Sequence, residues 1–150
     1  MIEQQSIVHK KIILTTLNAK YVHASLGLRY LYANMRDLQD DTVMHEFSIN
    51  ARIADIAESL VLYQPTIIGF GVYIWNVNET LALIRLLRQI LDNVVIVLGG
   101  PEVSYETEQQ EIVKHADYVL CGQADLSFAQ LCQQILSGYK PVAKIQSVAV

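Results

Sequence analysis

The segment that most constrains the fold is residues 92–104, DNVVIVLGGPEVS, where an apolar run is followed by two glycines and a proline. The run from Val94 to Leu98 is short and mostly β-branched, which predicts a strand buried on both faces of a parallel sheet. Gly99-Gly100-Pro101 ends the strand and leaves no side chains at its carboxyl end, where open α/β sheets bind ligands. Taken alone, the stretch fits equally well a tight turn with unusual backbone dihedrals.

The composition bounds the class of protein. A length of 150 residues predicts one domain with a sizeable core. The chain is 52% hydrophobic and 17% charged, as expected for a sheet that helices cover on both faces. A net charge of −4 with only 11 lysines and arginines argues against nucleic-acid binding. We expect a cytoplasmic protein, because the sequence shows neither a membrane-length apolar stretch nor the apolar core of a signal peptide.

The two cysteines, Cys121 and Cys132, do not form a metal-binding or disulfide pattern. They are 11 positions apart, without a Cys-x-x-Cys motif or a pair of histidines nearby. Cys121 ends an apolar run and Cys132 falls on the apolar face of a predicted helix. Both are therefore expected to be reduced core residues.

Apolar runs alternate with helical patterns along the whole chain. The predicted strands cover residues 11–17, 43–49, 66–72, 94–98 and 117–121. The predicted helices cover residues 26–37, 51–63, 76–91, a short segment ending at 115, and 126–136. This alternation predicts an α/β fold, a doubly wound five-stranded parallel sheet of Rossmann or flavodoxin-like type with helices on both faces. Strands one, three and four are the most uniformly apolar, which favours the order 2-1-3-4-5 and a switch point between strands one and three.

The ends of the chain and the start of the third helix carry weaker signals. We expect a lead-in over residues 1–9, the α/β domain over residues 10–138, and a tail over residues 139–150. The tail is interpreted as a loop with a short strand, or as the start of a linker to a further domain. Asn76 and Glu79 resemble a capping box, with Asn78 as a rival cap.

The distinctive residues follow the strands and therefore fall on one edge of the predicted sheet. Gly69 and Gly71 weaken the third strand, which indicates close approach by a helix or a ligand. The chain has no Gly-x-Gly-x-x-Gly, Walker loop or Gly-x-Ser-x-Gly turn, and His23, His45 and Asp125 do not have the spacing of an acid–base set. This edge is predicted to hold a broad, partly apolar ligand rather than to catalyse a reaction.

Three motifs carry a resemblance to a known family. These are the segment NAKYVHASLGLRYL at 18–31, the turn GGPEVS at 99–104 and the segment DYVLCGQAD at 117–125. They occur in the order and spacing of cobalamin-binding domains that precede radical S-adenosylmethionine domains. Residues 10–138 thus resemble that family.

The resemblance implies that cobalamin is held at the carboxyl ends of the strands. Glycines would leave room for the nucleotide tail, and the first loop would lie under the corrin ring. The cofactor-binding residues implied in this way are Tyr21, Val22, His23, Ala24, Val72, Tyr73, Ile74, Gly99, Gly100 and Gly122.

Two departures from the family pattern affect this assignment. Cobalamin domains with an axial histidine use Asp-x-His-x-x-Gly, but alignment on His23 puts Tyr21 at the Asp and Leu26 at the Gly. Without the carboxylate that would orient the imidazole, a base-off and histidine-off cofactor is expected, with His23 as a less favoured cobalt ligand. Gln123-Ala124-Asp125 replaces the family's Glu-Gly-Glu, so the role of that loop is open.

The sequence also lacks the Cys-x-x-x-Cys-x-x-Cys motif that would hold an iron–sulfur cluster. The resemblance implies that the cluster and S-adenosylmethionine belong to a missing downstream domain, or to a partner protein, of a methyltransferase-like enzyme. Catalysis by these 150 residues alone is not expected. Two alternatives remain open. One is a flavodoxin-like binder of flavin or another nucleotide, and the other is a cofactor-free interaction module that uses the aromatic residues Tyr21, Tyr73 and Trp75.

Overall fold

The fold is a single parallel sheet with helices on both faces. A computed structural model describes residues 8–20, 24–104, 109–122, 124 and 126–147. Within this part of the chain the strands run in the order 2-1-3-4-5-6, and every neighbouring pair is parallel. The strands are β1 (Ile12–Asn18), β2 (Thr42–Ser48), β3 (Ile67–Gly71), β4 (Val95–Gly99), β5 (Tyr118–Cys121) and β6 (Ile145–Ser147).

Two apolar layers hold the helices against the sheet. The helices are α1 (Leu26–Ala33), α2 (Ile53–Val61), α3 (Val77–Ile90), α4 (Glu111–Lys114) and α5 (Ser127–Leu136). One layer joins the sheet to α2, α3 and α4, through residues such as Ile56, Leu83 and Ile112. The other joins it to α1 and α5, through residues such as Leu28 and Leu131. The predicted α/β class and the order of the first five strands are therefore confirmed.

The predicted number of five strands is wrong, because residues Ile145–Ser147 form a sixth strand at the edge of the sheet. Ile145 pairs with Val119, and the Tyr118 hydroxyl donates to Pro141 O at 2.9 Å. The short strand expected in the tail is present, but three residues are too few to show a period of two, so the pattern did not indicate that the strand joins the sheet.

The first helix ends earlier than its periodicity predicts. α1 stops at Ala33, and a 3-10 helix follows over Arg36–Asp41. Arg36 has a φ of 51°, a left-handed conformation that interrupts an α-helix regardless of side-chain pattern. Ser25 caps α1, because its side chain accepts a hydrogen bond from Leu28 N.

The two cysteines differ in burial. Cys132 faces the apolar layer between α5 and the sheet, where burial raises the pKa of its thiol, whereas Cys121 at the end of β5 is only partly buried.

No helix in the described residues is both long enough and apolar enough to span a bilayer.

Arg88 ties the end of α3 to the amino-terminal edge of the sheet. Its guanidinium donates to Val94 O at 2.9 Å and His115 O at 2.9 Å, and it contacts Asp117 Oδ2 at 2.8 Å. The same carboxylate oxygen accepts from Ile96 N at 2.8 Å. Several charge-assisted hydrogen bonds to backbone groups thus converge between α3, β4 and β5.

We expect Arg88→Met to lower the free energy of unfolding by about 1–3 kcal/mol, because it leaves backbone carbonyls and the Asp117 carboxylate without a donor. Arg85→Met is the matched control on the same helix, since Arg85 makes only a half-exposed contact of 3.6 Å with Glu111. The control should change stability by less than about 0.5 kcal/mol. Urea unfolding of the two variants checks this, and equal losses would contradict it.

Candidate ligand-binding site

The two faces of the sheet differ sharply at its carboxyl edge, the edge where β1, β3, β4 and β5 end. Side chains alternate along each strand, so neighbouring residues point to opposite layers. On the face toward α2 and α3, this edge carries the fully buried Leu17, Phe70 and Leu98. On the face toward α1 and α5, the alternate positions in β3 and β4 are Gly69, Gly71 and Gly99. Gly71 pairs directly with Gly99, which leaves a patch of backbone without side chains.

A cavity of about 160 Å³ lies over this patch, between the sheet and helices α1 and α5. The chain has 7 glycines, and all except Gly138 line the cavity. The other lining residues are apolar, such as Leu14, Val97 and Leu120, except for Tyr73. The cavity therefore exists because glycine occupies the positions where side chains would fill it. The six lining glycines are Gly27, Gly69, Gly71, Gly99, Gly100 and Gly122.

These glycines fall into two groups according to what a Cβ atom would meet. At Gly69 it would lie 2.8 Å from the ring of Phe128, so α5 packs directly on the strand there. At Gly100, whose φ is 109°, it would lie 2.5 Å from Val72 O. At Gly99, in contrast, the nearest such atom is Leu120 O at 4.0 Å. Gly69 and Gly100 are thus required by packing, whereas Gly99 opens space. The close approach predicted at Gly69 is made by a helix.

The loop between β3 and α3 presents two stacked aromatic rings at the carboxyl edge. Tyr73 and Trp75 have ring centroids 4.5 Å apart and an interplanar angle of 5°. The Tyr73 ring would lie 3.4 Å from a Cβ at Gly71, and its hydroxyl 3.4 Å from a Cβ at Gly27. Tyr73 therefore spans the distance from the sheet to α1 along one side of the cavity.

Asn76 holds this loop from behind and is completely buried. Its Oδ1 accepts from Tyr73 N at 2.9 Å, and its Nδ2 donates to Leu17 O at 3.0 Å and to Gly71 O at 3.3 Å. The predicted capping box is wrong, because the Asn76 side chain makes no capping bond to α3. It satisfies backbone groups of β1 and β3 at the switch point instead, which sequence reasoning missed.

Glu46 plays a similar part for α1 and was not predicted. One of its carboxylate oxygens accepts from Ser25 N at 2.5 Å and from Asn18 Nδ2 at 3.1 Å. The other lies 3.2 Å from the Arg29 guanidinium. Glu46 thus fixes the end of β1 and the start of α1, whose own first turn carries no acidic residue. Register pairs Glu46 with Thr16, so its contact with Asn18 two positions further along β1 is not visible in the sequence.

Ser104 joins the turns after β4 and β5. Its hydroxyl donates to Gly100 O at 3.1 Å and accepts from Gly122 N at 3.3 Å. Gly122 has a φ of 84°, which favours glycine at this turn. The two turns at the far side of the cavity are therefore fixed relative to each other.

The structure brings Tyr73, Gly99, Gly100 and Gly122 together around the cavity. The side chain of Val72 instead points into the opposite layer, and only its backbone approaches Gly100. Two further predicted residues, Ala24 and Ile74, are exposed, with Ile74 76% exposed. Several predicted residues lie outside the described part of the chain, namely Tyr21, Val22, His23, Gln123 and Asp125.

His45 lies on the edge strand β2 and does not line the cavity. Its ring stacks on Phe47 at 4.3 Å, and its Nδ1 lies 3.1 Å from the Tyr63 hydroxyl. Burial lowers the pKa of His45, which favours its neutral form. The described residues contain no cluster of three or more His, Cys, Asp and Glu side chains that would suit a metal ion.

We expect Gly100→Ala to destabilise the fold more than Gly138→Ala. Both positions have positive φ, 109° and 95°, so each variant bears a backbone cost of about 1–2 kcal/mol. Only at Gly100 does the added methyl collide with the backbone of Val72, which adds about 1–3 kcal/mol. A Cβ at Gly138 would have no atom within 4 Å, so this variant isolates the dihedral cost. Urea unfolding measures both; identical losses would show that the Val72 contact is not rigid.

Comparison with known proteins finds relatives that are described as methyltransferases. The chain is 25% identical over 114 residues to an uncharacterized methyltransferase, PH0819, of Pyrococcus horikoshii, covering 75% of this chain and 25% of that protein. It is 24% identical over 102 residues to the cobalamin-dependent radical SAM methyltransferase TokK of Streptomyces tokunonensis, covering 67% of this chain and 14% of TokK. The chain therefore spans a quarter or less of the length of these relatives.

A solved structure shares the fold. The cobalamin-dependent S-adenosylmethionine radical enzyme OxsB, with aqua-cobalamin bound, superposes with a TM-score of 0.66 at 14% identity. The match covers 89% of this chain and 20% of OxsB. The family model described as the B12 binding domain matches residues 12–132, from the first strand into the last helix. The chain therefore belongs to the B12-binding domain family.

Proposed function

We propose that this domain binds cobalamin at the carboxyl edge of its sheet, with the nucleotide tail in the glycine-lined cavity. The observation that carries the proposal is that six of the chain's 7 glycines line one cavity between the sheet, α1 and α5. A flat aromatic base needs an apolar space free of side chains, and Gly99 and its neighbours leave one. Membership of the B12-binding family and the cobalamin-dependent relatives support the same ligand.

The corrin ring is too large for the cavity, so we assign it to the exposed apolar surface at the carboxyl edge. Leu26, Ile74 and Trp75 expose 69%, 76% and 47% of their surface there. Large exposed apolar side chains at one edge favour contact with a ligand or another domain. Ala24 and the predicted residues Tyr21, Val22 and His23 belong to the same part of the proposal.

A tail held in the cavity is separated from the cobalt, so the proposed cofactor is base-off. We propose that it is also histidine-off. In the sequence motif aligned on His23, Tyr21 occupies the position of the carboxylate that would orient the imidazole. His23 is the less favoured alternative as a lower axial ligand. The residues of this chain then hold and orient the cofactor without coordinating the metal.

The wider role that we propose is that of the N-terminal cobalamin-binding part of a radical SAM methyltransferase-like enzyme. In such a protein cobalamin supplies a carrier for a methyl group. The chain contains only two cysteines, so the thiolates of an iron–sulfur cluster and the S-adenosylmethionine site would come from a radical SAM domain in cis or from a partner protein. A cytoplasmic location is part of the same proposal.

We expect Gly99→Val to lower the affinity for hydroxocobalamin at least tenfold while the domain stays folded. A Cβ at Gly99 meets no close neighbour, and valine suits a strand, so the added methyl groups occupy the cavity and not the core. Equilibrium dialysis with visible absorbance measures the retained corrin, and urea unfolding checks the fold. Ala143→Val, which adds apolar volume at an exposed position, is the control. Unchanged binding by Gly99→Val would place the tail elsewhere.

We expect His23→Ala to leave the visible spectrum of the bound cobalamin unchanged, because the proposed cofactor has no histidine ligand. Loss of a coordinating imidazole would shift the corrin absorption bands. A marked shift relative to the wild-type complex would therefore reverse the histidine-off assignment while preserving cobalamin binding. Retention of flavin in place of hydroxocobalamin would favour the flavodoxin-like alternative.

A further inference from the structure

The side chains that line the cavity are nearly all apolar, and we propose that it selects cobamides by the base of their nucleotide tail. Benzimidazole and phenolic bases are accepted, and purine bases are rejected. The specificity-determining side chain is Tyr73. This inference rests on the proposed function, because it concerns the same cavity and the same class of ligand.

The side chains that line the cavity are nearly all apolar. None of the sixteen lining residues is charged, and the only side-chain oxygen or nitrogen among them is the Tyr73 hydroxyl. This hydroxyl makes no hydrogen bond with any residue in the described part of the chain. Among the described residues that line the cavity, it is therefore the one side-chain donor available to a base.

Four backbone groups of the lining glycines are already paired. Gly71 O accepts from the Thr16 hydroxyl at 2.8 Å, and Gly99 O accepts from Val72 N at 2.8 Å. Gly100 O and Gly122 N are both bound by the Ser104 hydroxyl. These four groups therefore do not offer an unused partner to a purine.

The bases of natural cobamides differ in how many partners they need. An adenine base carries an exocyclic amine and several ring nitrogens, each of which must leave water to enter the cavity. Each buried polar atom without a partner weakens binding by roughly tenfold or more. A benzimidazole released from cobalt has one ring nitrogen that accepts a hydrogen bond, which the Tyr73 hydroxyl matches. The only oxygen of a phenolic base is used in its linkage to the tail, so this base needs no partner.

Competition among four corrinoids tests the selection, with quenching of Trp75, the only tryptophan, as the readout. We expect cobalamin and the cresolyl cobamide to bind within about threefold of each other, and the adeninyl cobamide at least tenfold more weakly. Cobinamide, which lacks the nucleotide base, should also bind at least tenfold more weakly than cobalamin. Equal affinity for the adeninyl cobamide and cobalamin would overturn the inference.

The same measurement separates failure of the inference from failure of the proposed function. If cobinamide binds as tightly as cobalamin, the corrin is held but the tail lies outside the cavity; corrinoid binding then stands and the selection does not. If none of the four corrinoids binds, the proposed function itself fails.

Tyr73→Phe tests the assigned residue, because phenylalanine preserves the ring that stacks on Trp75 at 4.5 Å. We expect the affinity for cobalamin to fall about three- to tenfold, while that for the cresolyl cobamide stays unchanged. An equal fall for both ligands would show a packing role, and no fall for either would show that the hydroxyl is unused; both results overturn the assignment. Tyr30→Phe, on the exposed face of α1, is the matched control.

Discussion

The whole site depends on the alternation of side chains along parallel strands. At the carboxyl edge the same strands that supply Phe70 and Leu98 to one layer supply Gly69, Gly71 and Gly99 to the other. The layer beneath α2 and α3 closes completely and supplies apolar burial that does not depend on the cavity. Because a cavity costs stability in proportion to its volume, a fold tolerates it best where the opposite layer is fully packed.

The rim of the cavity is fixed by polar side chains that lie behind it. Asn76 binds backbone groups of β1, β3 and the loop to α3, Glu46 binds the start of α1, and Ser104 joins the turns after β4 and β5. None of these three side chains lines the cavity, and each satisfies loop backbone that would otherwise need water. They hold the loops in place without occupying the cavity.

Much of this arrangement follows from the sequence, and the remainder depends on pairing that a sequence does not display. The apolar runs and their alternation with helices predicted the sheet and its first five strands, and Gly69, Gly71 and Gly99 marked the site. The three residues of β6 were too few to indicate that the short strand of the tail joins the sheet. Asn76 followed three residues later by Glu79 predicts a helix cap in any sequence. Only the burial of Asn76 shows that its side chain faces the sheet. Glu46 became informative only once the structure showed its hydrogen bond with Asn18, which lies two positions beyond its register partner Thr16. The assignment of Tyr21, Val22 and His23 as cofactor-binding residues stays a prediction.

The glycines that open the cavity also make it apolar. A strand glycine adds no side chain, yet its N–H and C=O remain in the ladder, so space is gained without new donors or acceptors. The two left-handed turns at Gly100 and Gly122 direct their backbone toward Ser104, which uses those groups as well. The selection proposed for this cavity therefore depends on the cost of bringing polar atoms into it, and among the described lining residues the Tyr73 hydroxyl is the one side-chain group that would reduce that cost.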